Sequence, residues 1–237
     1  TQRWAAIDDK TGRNETKMTV KAKELSDKLS GCFDYKKREI IFKKSIFGKS
    51  VITLFYIDTI CDADYISHYI IEPLSQLKRY VSCKEDVSRA IYAANYAEVF
   101  NTAQAMEHIL SGDPVLVFES INYAISVEAK KIQSRPVEKS LFDASLVGSN
   151  EGFNELLADN ISLIRKRMAT ENLKVESYIL GQKSKTQSAL LYIDGIAPDD
   201  LVETVRQKLN EIDAEFVLCV KYLAERLCTN RSLFDTL

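Results

Sequence analysis

The side chains able to do chemistry are few and scattered. Histidine occurs twice, as His68 and His108, in a chain of 237 residues. Both fall in stretches with helical spacing, and neither has a serine, cysteine or carboxylate placed beside it by sequence as a nucleophile–base set. Structural or surface roles are expected for both. The five cysteines, Cys32, Cys61, Cys83, Cys219 and Cys228, include no C-x-x-C pair. With so few histidines this is not a zinc pattern. The odd, scattered set reads as reduced thiols packed as small hydrophobes. Gly48-Lys49-Ser50 has the ending of a phosphate-binding loop, but that loop needs glycine at position 43, where Lys43 stands. It reads as a turn leading into a strand.

Asp58 and Asp194 each end an apolar run. A carboxylate at a strand end can serve as acid, base or magnesium ligand, or it can cap the next helix. Capping and turn chemistry is the expected use here, with Asp62, Asp64, Asp199 and Asp200 alongside. No catalytic set, metal site or cofactor motif emerges, so the chain is not expected to be an enzyme. Arg165-Lys166-Arg167 closes a long helical pattern. Cations there offset the C-terminal carbonyls by about 0.3–1 kcal/mol. The sharper reading makes the cluster a phosphate or acidic-partner site, with Arg165 and Arg167 as the partner contacts.

The composition behind these residues is that of a globular protein, 46% hydrophobic and 28% charged, with a formal net charge of −2. That balance argues against a nucleic-acid binder. No secretory leader pattern is visible, and no run approaches the roughly 18 apolar residues of a membrane helix. The chain is expected to be soluble by itself, and it remains compatible with being part of a membrane-bound protein.

The pattern predicts an α/β fold. A polar leader at 1–20 precedes helical spacing at Ala22, Leu25 and Leu29. Ile40–Phe42 and Val51–Asp58 read as strands, the second rich in β-branched and aromatic residues. Ile66, Tyr69, Ile70, Leu74 and Leu77 mark a helix that Pro73 should kink or shorten. One or two helices span Glu85–Leu110 and end at Ser111-Gly112-Asp113, where glycine supplies the left-handed cap. Pro114–Glu119 and Asn122–Val127 predict a hairpin. After an irregular stretch, a helix is predicted over Phe153–Met168, then strands at Leu173–Leu180 and Ala189–Ile193. A helix carrying Leu201, Val205 and Leu209 follows, and Phe216–Leu227 closes as a helix or a strand plus helix.

An internal echo organises these elements. Leu54-Phe-Tyr-Ile-Asp-Thr-Ile-Cys-Asp-Ala-Asp64 aligns without gaps on Leu190-Leu-Tyr-Ile-Asp-Gly-Ile-Ala-Pro-Asp-Asp200. Each copy is a strand, an acidic turn and a helix, which argues for two similar lobes. The expected layout is two similar α/β lobes with small mixed sheets flanked by helices. A leader occupies 1–20, an N-terminal subdomain 21–133, an extended linker 134–152 and a C-terminal subdomain 153–237. In the linker, Pro136 fixes Arg135 in an extended shape, and Arg135 with Glu138 suggests a salt-bridged strap. Gly148 and Gly152 permit close backbone approach, Phe153 should be core at the lobe junction, and Asn160 should pin the linker by hydrogen bonds.

Together these pieces resemble the A subunits of spore germinant receptors, the GerA family. The resemblance runs from about Lys21 to Leu237. It rests on Leu54–Asp58, Leu110-Ser111-Gly112-Asp113, Arg135-x-x-Glu138, Gly148-x-x-Glu151-Gly152-Phe153, Asn160 and Leu163–Arg167. Gly181, Thr186, Tyr192–Ala197 and Ser232–Phe234 continue it. The sequence departs from the family pattern at Thr59, Ser140, Val147 and Asn150, where Gly, Pro, Arg and another cation are usual. The resemblance implies the N-terminal, spore-core-side domain of an inner-spore-membrane protein. It would work with a transporter-like B subunit, a lipoprotein C subunit and other A subunits. Its role would be non-enzymatic signalling and assembly, coupling nutrient sensing to ion release. The alternative is a binding module that takes a small-molecule nutrient in the cleft between the lobes.

Overall fold

The computed structural model describes residues 20–45, 48–77, 81, 83–131, 152–217 and 220–227. Two sheets organise them. The first has five strands in the order β1-β2-β4-β5-β3: β1 (Tyr35–Ser45), β2 (Gly48–Ile57), β3 (Tyr96–Glu98), β4 (Val115–Phe118) and β5 (Tyr123–Val127). The second has two, β6 (Leu173–Leu180) and β7 (Thr186–Ile193). Every described pairing is antiparallel, so the mixed sheets expected from the sequence are a correction. Strand direction follows from the connections. β1–β2, β4–β5 and β6–β7 are separated by only two, four and five residues, too few for a parallel crossover.

β4 and β5 are buried at every position, Val-Leu-Val-Phe against Tyr-Ala-Ile-Ser-Val. Central strands covered on both faces need continuous apolar runs, and these two have them. Leu54, Phe55 and Ile57 of β2 are fully buried beside them. The outer strand β1 instead exposes Lys37, Arg38 and Glu39, charges that discourage pairing of an open edge with other chains. The helices α1 (Ala22–Lys28) and α5 (Thr102–Leu110) complete this core with Leu25 and Ile109.

Three elements differ from the sequence reading. Between α4 (Lys84–Ala90) and α5 lies the short edge strand β3, where only helix was expected. Tyr-Ala-Glu carries no strand pattern, and its pairing with β5 is a tertiary effect. The Pro73 helix is three pieces, α2 (Ala63–Tyr65), a π-helical turn over Ile66–Ile71 and α3 (Glu72–Gln76). Pro73 sits in the first turn of α3, where its missing N–H is tolerated and the preceding π-turn absorbs the mismatch. The third is α6, which spans Leu157–Arg167 rather than Phe153–Met168. Leu156 is extended, and Phe153 lies outside the helix at 71% exposure, not in a core.

The second sheet carries a helix on each face. Ile161 of α6 packs on Leu173 and Val175, with Ala189, Leu191 and Ile193 around them. On the other face Leu180 meets Leu209 of α7 (Asp199–Asn210), with Tyr178, Leu190 and Leu223 of α8 (Val220–Leu227) alongside. Alternate strand residues thus serve different helices.

The internal echo is structural as well. The order α1-β1-β2-α2 recurs as α6-β6-β7-α7. Tyr35 faces Ile57 across β1–β2, and Leu173 faces Ile193 across β6–β7. The Asp58 N–H donates to the Asp34 carbonyl at 2.8 Å, and the Asp194 N–H donates to the Asn172 carbonyl at 2.9 Å.

Gly112 ends α5 at φ +91°, and a Cβ there would lie 3.1 Å from the Ile60 carbonyl oxygen. Gly112→Ala is expected to cost about 1–3 kcal/mol of stability in urea denaturation. Phe153→Ala, by contrast, is expected to change stability by about 0.5 kcal/mol or less in the same assay.

Candidate functional site at the joint between the two sheets

Most of the first unit's residues that tie the two sheet units together come from one short stretch, Lys28–Asp34, running from the end of α1 to β1. Opposite it stand α6 and the start of β6. The first core contains no residue beyond Ala129, and the other two contain none before Leu157. The units therefore have separate hydrophobic cores, and the described contacts between them are mostly polar.

At the centre is an ion pair. Arg165 Nε lies 2.6 Å from Asp34 Oδ2, and its Nη2 lies 2.7 Å from Oδ1. The side chains are 2% and 0% exposed. The planar guanidinium fork matches a carboxylate in a way that a lysine cannot. Thr59 Oγ1 donates a further bond to Asp34 Oδ2 at 2.9 Å. Burial alone would push the Arg165 guanidinium down. The hydrogen bonds and charge of Asp34, helped by Cys32, outweigh that and hold it above its ordinary value.

Weaker contacts surround the pair. The Phe33 N–H donates to the Val175 carbonyl at 2.9 Å, which places this stretch along the edge of β6. Cys32 Sγ lies 3.4 Å from the Leu173 carbonyl oxygen. Lys174 Nζ reaches the carbonyls of Lys28 and Ser30, both at 3.2 Å. Lys28 pairs with Glu171, and Lys131 with Asp159, each at 3.1 Å. These two half-exposed pairs contribute about 1 kcal/mol or less each.

The sequence-derived residues divide clearly. Arg165, expected as a partner contact, is turned inward. A group 2% exposed, with Nε and Nη2 both bonded to Asp34, is not available to another subunit. Arg167 stays on the exposed side of α6. Asn160 clamps the entry to α6: its Oδ1 accepts from the Asn154 N–H and its Nδ2 donates to the Asn154 carbonyl, both at 2.8 Å. Gly152 is exposed, with nothing within 4 Å of where a Cβ would stand. Arg135, Glu138, Gly148 and Glu151 lie outside the described residues, as do residues 1–19 of the leader and Ser232–Phe234.

Asp62 rather than Asp58 caps α2, accepting from the Tyr65 N–H at 2.9 Å. His68 is exposed beside Glu72, and His108 stands 3.7 Å from Asp113. The Cys61 thiol is pushed up to about 12 by burial, which makes it a poor nucleophile. Sequence reasoning missed Asp34 and Thr59. Asp34 is one polar residue before a strand, and only its burial against Arg165, 131 positions away, gives it meaning. Thr59 did carry a signal, since it stands where the second copy of the repeat has Gly195.

The second unit has a polar anchor of its own. Glu176 accepts from Tyr178 and Tyr192 at 3.0 and 2.9 Å and is paired with Arg206 of α7. The Arg206 hydrogen bonds hold its carboxyl below the usual carboxylate range.

The family described as "Bacillus/Clostridium GerA spore germination protein" matches residues 23–237. The chain belongs to the GerA family. It is 28% identical over 197 residues to Stage V sporulation protein AF of Bacillus subtilis (strain 168), covering 80% of this chain and 39% of that protein. It is 27% identical to the membrane protein YfkQ of the same organism, covering 82% and 38%. This GerA-family chain thus spans about two fifths of the length of these relatives. It shares the fold of the crystallised N-terminal domain of the A subunit of the Bacillus megaterium spore germinant receptor GerK3. The TM-score is 0.60 and the identity 24%, over 88% of this chain and 78% of that one. Among the described residues no helix is long and apolar enough to cross a membrane.

Arg165→Met is expected to destabilise the GerA-family chain by about 3–5 kcal/mol, because Asp34 is left charged and buried. Asp34→Asn/Arg165→Met should cost about 1–3 kcal/mol less than the sum of its single variants in a denaturation cycle. The depressed Glu176 carboxyl contributes stability above the ordinary carboxylate range, and loses it as pH falls through the depressed folded value. Glu176→Gln should therefore lower stability at pH 7 and flatten its decline on acidification.

Proposed function

We propose that this chain is the part of a germinant receptor A subunit that relays nutrient sensing, without catalysis, to ion release. It would lie on the spore-core side of the inner spore membrane. In this reading it works with a transporter-like B subunit, a lipoprotein C subunit and other A subunits. Family membership supports the receptor context. The observation that carries the relay is the joint: two units with separate cores, held by one buried ion pair and two half-exposed ones. Such an interface has few discrete arrangements, so a force on one unit reorients the other or leaves it in place.

The test uses the full-length subunit in spores. Asp34→Asn/Arg165→Met keeps the joint closely packed but removes both charges. It is expected to reach normal levels in the spore and to slow nutrient-triggered ion release at least tenfold. Normal release at normal abundance would remove the joint from the signalling path.

One observation favours the alternative, a nutrient bound between the units. A cavity of about 230 Å³ lies at the seam, lined by Ile60, Leu110, Ser111, Lys130 and Lys131 of the first unit and Lys166 and Ala169 of the second. Two of its lysines already face carboxylates, Lys130 with Asp113 and Lys131 with Asp159, so an anionic ligand there would compete with those side chains. A saturable rise in melting temperature with amino acids or sugar phosphates, lost in Lys166→Ala, would put this reading first. Stabilisation should follow RT ln(1 + [L]/Kd).

A further inference from the structure

The two sheets have outer edges at β1, β3, β6 and β7, and β7 alone is unguarded among the described residues. β1 exposes Lys37, Arg38 and Glu39, and β3 is three residues long. Charge and shortness both discourage an open edge from pairing. The outer edge of β6 is covered: the Phe33 N–H donates to the Val175 carbonyl at 2.9 Å, and Cys32 Sγ lies 3.4 Å from the Leu173 carbonyl oxygen. β7 has no such protection. It runs for eight residues, Thr-Gln-Ser-Ala-Leu-Leu-Tyr-Ile, with no charge and no proline. Its strand partner among the described residues is β6 alone.

The first copy of the repeat shows the same edge occupied. Register puts Ile57 of β2 at the position of Ile193 of β7, so Thr53, Leu54 and Phe55 correspond to Ala189, Leu190 and Leu191. The turns that follow agree: the N–H groups of Ile60 and Cys61 donate to the Ile57 carbonyl, and those of Ile196 and Ala197 to the Ile193 carbonyl. On its outer side β2 pairs antiparallel with β4, Thr53 with Val117 and Phe55 with Val115. Leu54 and Phe55 are fully buried there. On the corresponding side of β7 no strand stands among the described residues, and Ala189, Leu190 and Leu191 are only half-buried. The ladder sets the direction of the free groups. The Asp194 N–H bonds to the Asn172 carbonyl. Alternation along an antiparallel pair therefore turns the N–H and C=O of Gln187, Ala189 and Leu191 away from β6.

We propose that the outer edge of β7 pairs antiparallel with β7 of a second copy of this chain, joining the two into one four-stranded sheet with the order β6-β7-β7-β6. The occupant of this edge has to be extended, uncharged and itself free on one side. Among the described residues β7 is the strand that meets all three conditions. β1 is free but charged, and β1 against β7 would be a head-to-tail contact, which leaves one edge of each kind open in a pair. β7 against β7 presents the same edge from both sides and closes at two chains, so an unguarded strand there does not propagate. Pairing also extends the two small cores, since Ala189 and Leu191 lie on the α6 side of the sheet and Leu190 on the α7 side. The proposal rests on the signalling reading only in taking the partner to be another A subunit, and it gives that contact a place.

The test places a photo-cross-linker, as Gln187→benzoylphenylalanine, in the full-length protein in its native membrane, with two differently tagged copies made together. The expected product carries both tags and joins position 187 to Thr186–Ile193 of the second copy, mapped by mass spectrometry. Its yield should fall at least fivefold in Ala189→Pro, which removes an outward N–H and leaves the bonds to β6 in place. That variant is expected to melt within a few degrees of the parent, and the mapped peptide decides the matter even if it does not fold. A product within one chain, with lipid, with another protein or with a different segment of the second copy would overturn the proposal. So would no product, or a yield indifferent to a proline that leaves the fold intact. The cross-link is read without any germination assay. If it fails while Asp34→Asn/Arg165→Met still slows ion release, the β7 contact falls and the relay stands.

Discussion

The arrangement of this molecule depends on one charge pair that water does not reach. Removing Asp34 and Arg165 from solvent carries a desolvation penalty of several kcal/mol per ion. That cost is offset only where the geometry is good, and here it is: two short hydrogen bonds in a fork, and a threonine hydroxyl on the same carboxylate. Such a pair adds little net stability over an apolar contact of the same shape. What it supplies is definition. An apolar seam between two small units could slide, whereas a buried carboxylate must meet its guanidinium in one register.

This explains why the rest of the joint is assembled from weak pieces. Lys28–Glu171 and Lys131–Asp159 are half-exposed and screened by salt. The Phe33 N–H to the Val175 carbonyl is one backbone bond. None of these would orient the units alone. With the ion pair in place, Lys28–Glu171 and the Phe33 bond act on the Lys28–Asp34 stretch, while Lys131–Asp159 ties the segment after β5 to α6. The result is a joint with a single dry centre, consistent with parts that move as bodies. The proposed relay in a GerA-family subunit needs that property.

The repeat shows how such a joint is built from duplicate parts. Both copies keep the strand register, the backbone bond behind the strand end and the turn. They differ at the positions that meet another unit. The first has Asp34 and Thr59, which receive Arg165. The second has Asn172 and Gly195, which meet no charged side chain of the other unit among the described residues. Geometry is shared because backbone bonds set it, while occupancy is set by a few side chains.

Much of this was legible from the chain alone. The β-branched and aromatic run of β2, the uninterrupted apolar β4 and β5, the Gly112 stop and the echo of Leu54–Asp64 in Leu190–Asp200 are local patterns. Period, turn chemistry and left-handed φ are properties of neighbouring residues, so they determine elements and even the duplication. Asn160 could be picked out because an amide inside an apolar helix face must find partners. The edge strand β3, the exposure of Phe153 and the inward turn of Arg165 could not. Each depends on what lies opposite in space, and burial is a sum over contacts from distant parts of the chain. By itself the sequence determined the αββα units and their family. Only the tertiary structure decided that Arg165 meets Asp34, because a charge becomes a joint when folding removes the water around it.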